Sequence, residues 1–329
     1  MNNTTNKPRK FALLYTVIGL LCAVIAIALR TVNFFFFFDA EIGYHQANAL
    51  LPILANVQLA LAVVFFAVAA FLWFRKTNIG YPKELSAAIR IAALPAAAGF
   101  LFRAIFVYLN RAEGDKLALL SLLTGIAGAG YFLLLAFNQK QESFRILSGF
   151  CAIVHLILTL ASSYFNIFIQ MNAPDKLMLQ LGCLGGMLFL INELRAWISR
   201  PRPALYMFST ACAALLLGVA SIPSIVAYHA GILTDRVMMA GYYLLLGLFL
   251  YVTVRLIVLS LRPEAPEEEA EEIIEAEDEP NEVPVEEADE PQEEAVSQDT
   301  PPVAEEETAP SSQEEEPETP EEPTPEETP

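Results

Sequence analysis

The segment 237-VMMAGYYLLLGLFLYVTVRLIVLSL-261, followed directly by 262-RPEAPEEEAEE-272, decides how this chain is read. Its first part carries one charged residue, Arg255, and is long enough as a helix to cross about 30 Å of hydrocarbon at about 1.5 Å per residue. Its second part is almost all Glu, Pro and Ala. The break at Arg262 divides the whole chain. Residues 1–261 carry 19 Lys/Arg against 9 Asp/Glu, a net charge of +10, whereas residues 262–329 carry 29 Asp/Glu against one Arg, a net charge of −28. The overall −18 therefore describes neither part.

Working upstream from Val237, seven more apolar runs appear, at about 11–30, 49–74, 87–108, 117–137, 146–170, 177–198 and 206–228. A segment in lipid has no water to satisfy its backbone, so each run reads as a helix. The expected fold class is all-α: a polytopic membrane bundle of about eight transmembrane helices with a disordered acidic C-terminal tail. The chain divides into a cytoplasmic N-terminus (1–10), a transmembrane domain (11–261) and the tail (262–329). Connections are short, so consecutive helices are expected to be antiparallel neighbours. Lys7, Arg9 and Lys10 before the first run resemble a signal peptide, but the run is long and Ile27-Ala28-Leu29-Arg30 is no small-residue cleavage site, so it reads as a retained helix. Cys22, Cys151, Cys183 and Cys212 all fall inside runs and read as small apolar residues.

Lys and Arg collect on the cytoplasmic side of membrane proteins. With the N-terminus inside, the inner segments hold 11 Lys/Arg and the outer segments 5. This orients the protein in a cell membrane with both termini cytoplasmic. Phe34 to Phe38, in the first outer loop, read either as an interfacial cap or as an overlong first helix.

The tail has no aromatic residue and cannot bury enough apolar surface to offset its chain entropy. Ile273 and Ile274, within Glu267 to Glu279, mark one stretch suited to transient helix. Its charge suits a basic cytoplasmic protein partner or a self-repelling spacer, and it excludes nucleic acid. The other expected partner is the lipid bilayer.

Polar residues inside the runs are the candidate site. On the fifth run, Ser148, Cys151, His155, Thr159, Ser162, Asn166 and Gln170 follow one another at helical spacing within an arc of about 100°, over about 33 Å. Such a stripe faces the bundle interior. It reads either as the wall of a pathway, with His155 near mid-membrane, or as hydroxyl and amide packing contacts. On the sixth run, Gly182 and Gly186 offer a close-packing face shared with Glu193, whose expected ion partner is Arg255 or Arg90. Arg103 shares its helix with no acid, and Asp39, Glu41, Asn56, Gln58 and Asn166 are its candidate partners. Pro95 and Pro223 are expected kinks, and Gly125, Gly128 and Gly130 an apolar packing face. Trp73 and Trp197, each followed by basic residues, hint at two related halves.

No hydrolase, kinase, nucleotide-loop or metal-ligand spacing occurs, so neither an enzyme nor a cofactor or metal site is expected. The stretch 172-NAPDKL-177 through 189-FLINELR-195, closing with 200-RPRP-203, resembles segments of uncharacterised multi-pass membrane proteins of clostridial-type anaerobic bacteria. That resemblance implies a bacterial cell membrane and carries no activity. Two functions are compatible with the sequence. One is a non-enzymatic membrane-embedded scaffold or sensor presenting the acidic tail. The other is a transporter or small-solute binder built on His155, Thr159, Ser162, Asn166, Arg103, Glu193 and Arg255.

Overall fold

The computed structural model describes residues 6–40, 42–46, 49–75, 85–111, 116–139, 142–167, 169–170, 172–198 and 202–261. The acidic tail and its expected transient helix lie outside the described residues. Among the described residues the chain forms eight helices: α1 (Asn6–Phe36), α2 (Leu50–Phe74), α3 (Ala87–Leu109), α4 (Lys116–Ala136), α5 (Glu142–Tyr164), α6 (Pro174–Trp197), α7 (Pro203–His229) and α8 (Arg236–Leu261). All eight are long and apolar enough to cross a membrane, so the protein is an all-α polytopic bundle. The two-residue strands β1 (Phe38–Asp39) and β2 (Tyr44–His45) pair antiparallel between α1 and α2. They mark one end of the bundle, called here the hairpin end; α1 starts and α8 finishes at the opposite, terminal end.

The phenylalanine run is divided between an extended first helix and the hairpin that follows it. α1 continues through Phe36, beyond the expected boundary at residue 30. Phe34 is buried and packs edge-on against Phe38, while Phe36 is exposed. The chain then reverses at Gly43, whose φ of +74° is a left-handed conformation that side chains disfavour. α5 is shorter than the apolar run implied and ends at Tyr164 rather than at 170. Its last turn tightens, with the Asn166 amide on the Ser163 carbonyl. The Lys176 ammonium, from the first turn of α6, donates to the Asn166 and Ile169 carbonyls at 2.9 and 3.2 Å.

Packing departs from chain order. α2 packs on α1 and α7 rather than on its successor α3, and the most extensive partner of α3 besides α4 is α8. Helices α3, α4, α5, α6 and α8 close a ring, and α7 lies between that ring and the α1–α2 pair. Of the apolar window of α7, 78% is buried against protein, compared with 33% for α2, which makes α7 central and α2 peripheral. The related-halves hint finds no echo here, because α2 and α6 occupy different environments.

Backbone approach explains the α3–α8 contact. A methyl group at Gly99 would meet the Leu244 Cα at 3.0 Å, and one at Gly247 would overlap the Pro95 carbonyl. Short loops cannot impose this pairing; missing side chains permit it. Gly182 and Gly186 behave differently from each other. A methyl group at Gly182 would crowd Leu245 and the Cβ of Ala220 on α7, a close helix approach, whereas Gly186 receives the Leu156 side chain. On α4, Gly125 and Gly128 are packing positions, while a methyl group at Gly130 would meet nothing within 4 Å.

Two outcomes follow from these contacts. Gly247→Val should lower the stability of the detergent-solubilised protein by about 3 kcal/mol through overpacking, whereas Gly130→Ala should leave it equal or slightly higher; thermal unfolding of both variants distinguishes a true backbone contact from a generic glycine effect. The second concerns His45 in β2, where burial and the nearby Arg30 charge lower the imidazole from 6.5 to about 4, against a smaller raising contribution from the Phe37 backbone. A depressed folded-state value favours protonation of the opened hairpin. Its contribution is therefore present above about pH 6.5 and lost as pH falls toward 4. Amide exchange of Phe38 to Gln46 should accelerate over that interval, and exchange that is constant from pH 7 to 4 after correction for the intrinsic rate would count against it.

Candidate functional site

The polar stripe of α5 is assembled around Arg103. This side chain projects from α3 into the ring and is 2% exposed. Its Nε donates to the Thr159 hydroxyl at 2.8 Å, Nη2 to the Ser162 hydroxyl at 2.8 Å and Nη1 to the Val237 carbonyl at 3.0 Å. The two hydroxyls can accept because their own protons go elsewhere. Thr159 donates to the His155 carbonyl and Ser162 to the Thr159 carbonyl, each at 2.9 Å. Back-bonding of this kind is ordinary for Ser and Thr in helices. Here it turns two neutral side chains into a fixed acceptor pair one turn apart. Ser162 itself is exposed at the hairpin-end rim, whereas Thr159 is buried.

His155 sits one turn deeper and is fully buried. Its Nδ1 lies 3.0 Å from the Ser121 carbonyl of α4, which selects the tautomer protonated there. Its ring packs on Phe100, and the bare Cα of Gly125 makes room for it. Nε2 has no hydrogen-bond partner. Asn166 does not join this group. Lying beyond the end of α5, it donates to Asp235 at 2.9 Å, and Asp235 in turn accepts from the Met238 amide at the start of α8. The expected convergence of His155 and Asn166 therefore does not occur: the helix ends too early for the stripe to reach that far. Of the partners proposed for Arg103, Asp39, Asn56, Gln58 and Asn166 do not hold it and Glu41 lies outside the described residues; its partners come from the stripe and from α8.

The second cluster lies toward the terminal end. Glu193 of α6 and Arg255 of α8 form a fully buried ion pair, with Nη2 to Oε1 at 3.1 Å. Tyr251 donates to Oε1 at 3.1 Å, Tyr206 donates to Oε2, and Arg255 Nε also reaches the Tyr206 oxygen at 2.9 Å. Arg90, the other candidate partner, is exposed and donates to the Ala136 carbonyl. Each carboxylate oxygen thus has a phenol in addition to the guanidinium, and the charges of acid and base cancel. Such an arrangement locks three helices, and its carboxylate is held in place as a fixed acceptor.

Both phenols escaped the sequence reading. Tyr251 was findable, one turn before Arg255 on the same face of α8. Tyr206 was not, because it arrives from α7. Also missed was the hairpin end. Arg30, assigned to an outer loop, is instead 3% exposed in the body of α1, and a cavity of about 300 Å³ adjoins it. None of the stripe residues lines that cavity. Among the described residues no cluster of His, Cys, Asp and Glu suits a metal ion, and the four cysteines are free.

No protein-family model matches the chain, and neither a curated protein nor a solved structure shows significant similarity to it.

The ion pair makes a sharp thermodynamic prediction. Glu193→Leu alone, or Arg255→Met alone, should destabilise the bundle by about 3–5 kcal/mol by stranding a buried charge. The double variant should recover most of that loss. A double-mutant cycle of unfolding midpoints in one detergent measures the coupling, and additive losses would contradict the assignment.

Proposed function

We propose that this integral membrane protein is a non-enzymatic scaffold or sensor, held in the cell membrane with both termini in the cytoplasm, that presents its acidic tail there. The observation that carries this reading is the saturation of the candidate pathway. A carrier needs a water-accessible chamber where its polar side chains remain available to a solute. Here the hydroxyls of Thr159 and Ser162 hold Arg103, His155 is committed to the Ser121 carbonyl and packed under Phe100, and Glu193 is neutralised by Arg255. The tail then acts as a spacer or as an arm for a basic partner, and the hairpin end faces outward.

The alternative, a transporter caught in a closed state, draws on one observation. Among the described residues no carboxylate lies within ion-pair distance of Arg103, which leaves a buried cation held by neutral groups alone. Ionisable groups within membrane helices are frequently functional.

Accessibility separates the two. In a background without native cysteines, His155→Cys and Thr159→Cys should resist a membrane-impermeant thiol reagent in intact cells, while Ile167→Cys, at an 87% exposed position of the hairpin end, should react. Labelling at residue 159 from either side would replace the scaffold with the transporter, and an Ile167→Cys that reacts only in inverted vesicles would reverse the orientation.

A further inference from the structure

The cavity beside Arg30 adjoins a buried charge whose donors are only partly met among the described residues. It lies at the hairpin end, between α1, the first turns of α2 and α6, and β2, and its volume of about 300 Å³ is at the lower bound of small-molecule sites. Arg30, His45, Asn56 and Asn172 supply its polar lining, and Ile53 and Met178 face them as apolar wall. A narrower void continues beneath it toward α7 and shares Arg30, Asn56 and Met178.

Arg30 is as deeply buried as Arg103 but far less completely bonded. Its Nη2 donates to the Pro174 carbonyl at 2.7 Å, and the guanidinium stands 5.5 Å from the centre of the Phe34 ring. Its Nε is buried and meets no acceptor among the described residues. The charged groups nearby do not repair this. Asp175, on α6, accepts from the Tyr242 phenol at 3.3 Å and forms no ion pair with Arg30 within 4.0 Å. Lys176 is turned away onto the Asn166 and Ile169 carbonyls beyond the end of α5. His45 is neutral at pH 7, since burial and the Arg30 charge keep its imidazole near 4. Leaving a charged donor buried and unbonded costs more than leaving an amide so, and the natural remedy is an acceptor from outside the fold.

We propose that this cavity binds an oxyanion, carboxylate or phosphate, carried on a short apolar chain. One oxygen accepts from the Arg30 guanidinium, Asn56 and Asn172 supply amides to the head, and the carbon chain lies along Ile53 and Met178. A charge-assisted hydrogen bond to a desolvated guanidinium is strong enough to select anions over neutral analogues of equal length. The same head chemistry comes from two sources, an anionic bilayer lipid or a soluble organic acid. The site stands apart from the stripe and from the Glu193–Arg255 cluster, so it exists whether the protein is a scaffold or a carrier.

The test uses the full chain in phosphatidylcholine nanodiscs, read by thermal unfolding. Hexanoate is titrated at constant ionic strength against hexanol as the neutral control, and parallel discs contain phosphatidylglycerol. A ligand that binds only the folded state raises the midpoint in a saturable way. Saturation with hexanoate assigns a soluble acid, and stabilisation by phosphatidylglycerol assigns a lipid; either supports the site. Arg30→Gln should weaken the response about tenfold or more. Ile53→Trp should abolish it by filling the cavity without touching Arg30 or its bond to Pro174, so it decides the matter if Arg30→Gln fails to fold. Absence of stabilisation by either source, equal effects of hexanoate and hexanol, or an undiminished response in the folded variants would overturn the proposal and leave the cavity to water.

Discussion

A guanidinium placed among membrane helices cannot rely on water, so its donors must be met by protein, and in this bundle they are met across helices that chain order does not bring together. Arg103 joins α3 to α5 and α8; Arg255 joins α8 to α6 and α7; Arg30 joins α1 to α6. Arg145, at the start of α5, donates to the Gln139 carbonyl and lies 4.3 Å from the Trp197 ring at the end of α6. Apolar contact between helices is weakly directional in lipid, since a leucine gains little by exchanging an acyl chain for another leucine. The arginines supply direction. Each permits one arrangement of its neighbours, because any other strands a charge at a cost of several kcal/mol.

This constraint also explains what could and could not be read from residues alone. The eight spans were legible, because length and hydropathy are properties of single segments. The Glu193–Arg255 pair was legible from depth: both residues lie near the terminal end of their helices, and only a handful of charges do. The partners of Arg103 were not. Acids and amides were sought for it, whereas the structure uses hydroxyls whose acceptor capacity depends on back-bonding to their own helix. The end of α5 was misplaced because Ile167 and Ile169 extend the apolar run past Tyr164, where the helix ends. The α3–α8 contact was hidden for another reason. Gly99 and Gly247 mark it, but a glycine announces only that something is close, never which helix.

The stripe on α5 shows how a single pattern carries two functions. A row of Ser, Thr, His and Asn has the same spacing whether it lines water or fastens helices, and what separates the cases is where the lone pairs and protons end. Thr159 and Ser162 each give a proton to the backbone and a lone pair to Arg103, which leaves little to offer a passing solute. Asn166, at the end of the row, braces the turn before α8 through Asp235. Saturation of this kind is what the proposed scaffold requires.

Satisfaction is uneven along the membrane normal, and the unevenness has a physical meaning. At the terminal end, Glu193 is surrounded by one guanidinium and two phenols, and nothing is left over for a ligand. In the middle, His155 retains one unpartnered nitrogen but no adjoining space. At the hairpin end a buried arginine with incompletely met donors borders a cavity. An unmet donor without space is a cost to folding, and space without an unmet donor is a void that packing tends to close. Only their conjunction persists for a reason other than stability, because an occupant removes the cost and fills the volume together. Occupancy would also bear on more than the cavity itself, since Arg30 anchors α1 to the first residue of α6, whose other end carries Glu193. One helix therefore runs from the Arg30 contact to the Glu193–Arg255 lock. Any shift of α6 at the cavity has to be absorbed by the lock at its far end.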